Sequence, residues 1–211
     1  MNSTEHPVLT IGHSNHSPET FLQLLSRHRV EEVVDVRSSP RSLYSPQFNY
    51  DVLVEILDKA GISYVFLGGE LGGRPVDRSC YDSEGRVLYD RLADTELFND
   101  GIGRLLREAD ERRMALMCTE NEPLVCHRSV LIARALDEHG VTVEHILADG
   151  SLEKHASTMG RLLDSFHIPN QGDLFRSRDE VLADAIERQA KKIAYVDKRQ
   201  PVYSEAWEDM P

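Results

Sequence analysis

Hydrophobic residues along the chain fall into short solid runs, separated by longer stretches in which they recur every third or fourth position. The solid runs are "PVLTIGHS", "EEVVDVRSSP", "ISYVFLGG", "MALMC" and "VTVEHILAD". Each has an apolar centre, most carrying Val, Ile or Leu, and all but "MALMC" run into glycine or polar residues, as strands buried on both faces do. The stretches between them are amphipathic. "SPETFLQLLSRHRV" sets Phe21, Leu24, Leu25 and His28 at helical spacing, behind Ser17 as N-cap and Pro18 in the first turn. "YDVLVEILDKAG" places Val52, Leu53, Ile56, Leu57 and Ala60 on one face, with Asn49 as cap and Gly61 as stop. "TELFNDGIGRLLREADER" reads as a helix despite its two glycines, and "HRSVLIARALDEHG" as one ended by Gly140.

Five strands alternating with helices predict an α/β fold: a layered, mostly parallel sheet flanked by helices, about five β-α units in all. A partial (β/α) barrel is the alternative, disfavoured by the strand count. "ELGGRPVDRSCYDSEGRVLYDRLAD" reads as one long loop, a length that usually marks function or flexibility. After residue 150 the pattern changes. "SLEKHASTMGRLLDSFHIPNQGDLF" mixes turn residues with one short helix, and its Leu174 and Phe175 are expected to anchor the segment. "SRDEVLADAIERQAKKIAYV" is an amphipathic helix starting at Ser177 or Asp179, and "DKRQPVYSEAWEDMP" is expected to be a mobile tail. The expected organisation is an α/β domain over residues 1–150 and a C-terminal extension over residues 151–211 that packs on the same domain.

Composition narrows the function classes. A net charge of −12, with no Lys/Arg-rich block, argues against an extended nucleic acid as partner. No apolar run approaches the roughly 18 residues of a membrane span. The start, "MNSTEHPVLTIGHS", has neither a basic n-region nor a long apolar h-region, so no signal peptide is expected. Three cysteines, Cys80, Cys118 and Cys126, are too few for a disulfide framework and fit a cytoplasmic protein with reduced thiols.

Ligands of open α/β sheets bind at the carboxyl ends of the strands. That rule groups Gly12, His13 and Ser14 with Asp35, Arg37 and Ser38, with "GGELGGR" up to Arg74, and with Cys118, Thr119 and Glu120. The loop after Glu120 returns through Pro123 to Cys126, His127 and Arg128 at a helix start. Together "TIGHSNHSPETF", "VVDVRSSPRS" with "FN" beyond it, "LGGELGGRP" and "CTENEPLVCHR" resemble the family of domain of unknown function 488 (DUF488), over roughly residues 8 to 150 and part of the tail. The resemblance implies an α/β domain and, from the family's cysteines, an enzyme, with no established reaction.

The residues support several readings. In the first, Cys126 or Cys118 is a thiolate nucleophile, favoured at Cys126 by a helix start and by His127 and Arg128, while Glu120 and His127 move protons. The plainer alternative makes Cys118 a small buried apolar residue. Cys118, Cys126, His127 and His13 are also suitable zinc ligands, but seven residues between the cysteines match no common close pair, so no metal site is expected. His13, Ser14, Asp35, Arg37, Arg74 and Arg128 are candidates for holding a small anionic or nucleotide-like ligand, the arginines as bidentate clamps and the "GGELGG" amides as a cradle. In the plainer reading Arg37 pairs with Asp35 or Glu120. Tyr44 and Phe48 are candidates for stacking a base or sugar, and Cys80 for a free thiol in a polar loop. Phosphate-loop, dinucleotide-binding and Gly-x-Ser-x-Gly patterns are absent, and the sixth residues after Cys126 and Cys118 are Ile132 and Leu124, which excludes a Cys-x5-Arg phosphatase loop. The sequence names no cofactor, substrate or oligomeric state. An enzyme with a cysteine-containing, arginine-lined pocket is the leading reading; a non-catalytic ligand-binding or nucleic-acid-associated module is the alternative.

Overall fold

A computed structural model describes residues 6–172 and 175–198. The expected anchor at Leu174, and the expected mobile tail from residue 199 onward, lie outside the described residues. The five expected strands form as β1 (Val8–Gly12), β2 (Glu32–Asp35), β3 (Ser63–Phe66), β4 (Met114–Cys118) and β5 (Val143–Ile146). A sixth, β6 (Leu152–Lys154), completes a sheet of order β3-β2-β4-β1-β5-β6. All pairings are parallel except β5 with β6. The helices are α1 (Pro18–Arg27), α2 (Tyr50–Lys59), α3 (Gly68–Leu71), α4 (Tyr89–Ala93), α5 (Glu96–Glu108), α6 (Arg134–Glu138), α7 (His155–Ser165) and α8 (Arg178–Ile193).

Alternation along the strands sorts the core into two layers. Leu9, Ile11, Val33, Ala115 and Met117 face α1 and α2, where Phe21, Leu25, Leu53 and Leu57 cover them. Val34, Met114, Leu116 and Cys118 face the opposite layer, packed under Phe98, Leu105, Ile132, Leu136, Leu162 and Val181. The chain is therefore an α/β three-layer fold with a helical C-terminal part.

The local signals act where the sequence placed them, with informative exceptions. Ser17 caps α1 by accepting from the Thr20 amide, and Ser177 forms a full capping box with Glu180 at the start of α8. Asn49 precedes α2 but caps nothing; its Oδ1 accepts from Ser42 N at 2.6 Å and fixes the loop after β2. The expected single helix over "HRSVLIARALDEHG" begins with wider π turns over Arg128–Ala133 before α6. The expected long loop is largely structured: Cys80, Tyr81, Val87, Tyr89 and Leu92 are buried, α3 runs into its start, and α4 forms within it. Cys80 is accordingly a buried free thiol. The expected tail begins at Asp197, yet Asp197 is buried, donates its amide to Gly85 O at 2.8 Å and accepts from Arg78 at 3.0 Å. Phe175, expected to anchor, is 93% exposed.

Strand order positions the site. From β2 the chain moves outward to β3, whereas from β4 it moves the other way to β5. The loops leaving the adjacent ends of β2 and β4 therefore diverge and leave a crevice between them, the topological switch point of an open α/β sheet.

Candidate functional site

A cleft of about 590 Å³ occupies this crevice. The loop after β2 supplies Arg37, Ser38, Arg41 and Tyr44 to its wall; the end of β4 and the loop beyond supply Cys118, Thr119, Glu120, Cys126 and His127. Gly73 and Arg74 close another side, and Ile193 and Tyr195 reach in from the C-terminal extension.

Cys118, Glu120, Cys126 and His127, the four residues expected to do chemistry, converge here. Cys118 Sγ donates to Glu120 Oε2 at 3.1 Å. His127 Nε2 lies 3.1 Å from Val36 O. A carbonyl only accepts, so Nε2 carries a proton, and in the neutral imidazole Nδ1 offers its lone pair. Nδ1 stands 3.8 Å from Cys118 Sγ and 4.0 Å from Cys126 Sγ. The Arg128 amide donates to Cys126 Sγ at 3.5 Å. The donor atoms of Cys118, Cys126 and His127 all lie within 4.8 Å of one another, a set suited to a soft divalent metal. Gly73 makes room for the ring: a Cβ there would meet His127 Cγ at 3.1 Å.

Charge is shared unevenly between the two thiols. Burial opposes ionisation of Cys126, but the neighbouring Cys118 thiol, the Arg128 guanidinium and His127 together pull its pKa well below the ordinary thiol value. Cys118, beside Cys126, buried, and facing that negative sulfur, is pushed well above it. Burial and the Cys126 charge raise Glu120 above the usual carboxylate range. Burial works against a cationic His127, yet the Cys126 thiolate outweighs it and raises the imidazole.

The six expected anion-binding residues divide. Arg37 and Arg74 line the cleft. Arg37 is also the centre of a buried network, with Nη2 at 2.6 Å from Asp35 Oδ2 and 3.0 Å from Phe48 O, and Nη1 at 3.2 Å from His13 Nε2. Burial alone would lower the Arg37 pKa; the Asp35 carboxylate more than offsets it. Arg74 stacks 4.6 Å above the Tyr195 ring. His13, Ser14, Asp35 and Arg128 lie behind the residues that line the cleft. His13 is buried against Phe48, ring centroids 4.4 Å apart, and burial lowers its pKa to about 4. Ser14 takes a left-handed φ of 47° and donates its amide to Thr119 O at 2.8 Å. Asp35 accepts from Arg37 and, at 2.8 Å, from Tyr64 Oη. Arg128 is fully buried, its guanidinium donating to Thr10 Oγ1 at 3.3 Å, to Glu120 O, and to Asn121 O at 2.9 Å. It thereby holds the loop that carries Glu120. Gly12 lets that loop pass directly over the end of β1, because a Cβ there would strike the Glu120 carbonyl. The "GGELGG" segment folds partly into α3.

Phe48 is in the core, while Tyr44 stands at the cleft rim, 98% exposed. Sequence reasoning missed Arg41, Tyr89, Ile193 and Tyr195. Arg41 shares the "RSSPRS" stretch with Arg37 and was findable there; Tyr195 sits in an unpatterned tail and is placed by the fold alone. Among the described residues no helix is long and apolar enough to cross a membrane. A family model described as "Domain of unknown function DUF488" matches residues 17–135, more than half of the chain. No curated protein matches the chain.

Proposed function

We propose that this chain, which belongs to the DUF488 family, is an enzyme that acts on a small anionic, nucleotide-like substrate in the cleft between the ends of β2 and β4. The family carries no assigned reaction, so one observation bears the reading. Two thiols, an imidazole with a free lone pair and a half-buried carboxyl meet at the switch-point crevice, on walls that also present Arg37 and Arg74. Arg74 and Arg37 hold the anion, the Cys118–Cys126–His127 cluster is the reactive centre, and Glu120 carries protons to and from the substrate.

Calorimetric titration with inorganic phosphate and nucleoside monophosphates, followed by turnover assays on a panel of nucleoside phosphates, tests this. Arg74→Ala is expected to weaken binding roughly tenfold, about 1.4 kcal/mol. Glu120→Gln is expected to slow turnover by about 10²–10⁴ while leaving affinity unchanged. If no phosphate-bearing ligand binds, or if Arg74→Ala binds as tightly as the wild type, the reading is wrong. A non-catalytic binding module is favoured by one feature, the burial of both sulfurs to 3% and 1% exposure. It predicts that ligands bind but emerge unchanged, and that Cys126→Ser binds them as well as wild type.

A further inference from the structure

The two sulfurs that make the cleft reactive are poorly placed to attack a substrate. Cys118 and Cys126 are 3% and 1% exposed, and the same imidazole nitrogen faces both at nearly equal distance, 3.8 and 4.0 Å. A general base paired with one nucleophile would lie closer to that one. Two sulfurs and an imidazole nitrogen, all within 4.8 Å of one another, are the donors of a metal centre. We propose that Cys118 Sγ, Cys126 Sγ and His127 Nδ1 bind one zinc ion, with its fourth position open to the cleft beside Glu120. The inference rests on the cleft being the working site and says how its sulfurs act: they hold a metal.

Four features converge. Zinc bonds of about 2.3 Å to sulfur and 2.0 Å to nitrogen, at tetrahedral angles, set the two atoms about 3.5 Å apart. The observed 3.8 and 4.0 Å separations need only a small contraction. Thiolate and imidazole donors select zinc over magnesium and calcium, which want oxygen. The outer contacts are also those of a ligand set: the Nε2 proton of His127 on Val36 O fixes the tautomer that frees Nδ1, and the Arg128 amide donates to Cys126 Sγ. Finally, all three donors line the cleft with Glu120, so the site has the open position of a catalytic centre. On loading, each protonated thiol gives its proton to solvent. A zinc ion held there would supply Lewis acidity at its open position, and Glu120, beside that position, would be placed to accept a proton. The seven-residue separation that argued against a metal is closed by the loop from Glu120 to Cys126, pinned by Arg128.

Full-length protein dialysed against chelator, then titrated with zinc in competition with a chromophoric chelator and separately with cobalt(II), tests the proposal. One equivalent should bind, and cobalt should give sulfur-to-metal charge transfer in the near ultraviolet with intense tetrahedral visible bands. Cys118→Ser, Cys126→Ser and His127→Gln should each weaken binding more than about 100-fold, beyond the 10–100-fold cost of losing an outer partner. Cys80→Ala should bind as wild type. Because a ligand variant can misfold, alkylation of the wild type is read in parallel: zinc should protect Cys118 and Cys126. Failure to bind an equivalent, a six-coordinate cobalt spectrum without charge transfer, or alkylation of both thiols unaffected by zinc overturns the proposal. The two readings separate cleanly: if zinc does not bind but Arg74→Ala still weakens phosphate, the anion cleft stands without a metal. If zinc binds and no phosphate ligand does, the cleft reading fails and the metal remains.

Discussion

At the scale of single residues, the site depends on side chains that never touch the cleft. Arg128 is the clearest. Its guanidinium bridges β1, through Thr10, to the two carbonyls of the loop that carries Glu120. A lysine keeps the charge but cannot serve three acceptors in that fork. Arg128→Lys is expected to lower stability by about 1–3 kcal/mol, from partly buried carbonyls left unpaired, and to loosen the Glu120 loop. Chemical denaturation measures the first, and hydrogen exchange at Thr119–Asn121 the second; unchanged values for both would remove its structural role. Sequence reading grouped Arg128 with the ligand-binding residues because it stands beside Cys126. What it could not supply was the direction of the side chain, which is set by Thr10, more than a hundred positions away. His13 and Asp35 teach the same lesson: residues at strand ends are polar either to meet a ligand or to hold what does.

At the scale of elements, the strands and the switch-point crevice were legible because each is written locally. Solid apolar runs mark buried strands, and the ends of those strands converge whatever the loops do. The missed pieces are those that need a distant partner. β6 has three residues and no pattern of its own; pairing with β5 makes it a strand. The loop around Cys80 is ordered because Val87 donates its amide to Tyr195 O at 2.9 Å and Arg86 bridges to Val196. α8 delivers both Ile193 and Tyr195 to the cleft wall and is fastened one turn earlier by Gln189, whose amide donates to Leu124 O at 2.6 Å. Ser177→Ala, which removes the capping box of this helix, should therefore cost about 1 kcal/mol. Tyr195→Ala should release the Arg74 guanidinium and weaken phosphate binding without altering zinc affinity. Equal loss of zinc and phosphate in Tyr195→Ala would mean that the extension supports the fold generally, not the anion wall.

Over the whole molecule, three buried histidines outside the cysteine cluster tie stability to pH. Burial lowers His145 from 6.5 to about 2 and His13 from 6.5 to about 4, and lowers His155 as well. His145 joins Thr10 at 2.7 Å and His155 at 3.1 Å inside the sheet–helix layer, so protonating it would break a packed chain of hydrogen bonds. The sign follows from linkage. These groups stay neutral in the folded state and take protons on unfolding once pH drops below the unfolded value of 6.5. Their contribution is thus complete above that pH and is lost progressively as pH falls toward the folded values, at about 1.4 kcal/mol per unit for each group. The melting temperature should be level around pH 7–8 and fall steeply from about pH 6.5 downward. His145→Phe, if it folds, should show a shallower fall; an acid limb identical to wild type would show that His145 is not responsible.

The central claim is that one crevice brings a soft metal-binding cluster and an anion clamp face to face. Crystals grown with zinc and phosphate, measured on both sides of the zinc absorption edge, address it most directly. The account predicts an anomalous peak bonded to Cys118 Sγ, Cys126 Sγ and His127 Nδ1, with a phosphate beside it against Arg74. Density showing no metal at that point and no anion in the cleft would contradict it.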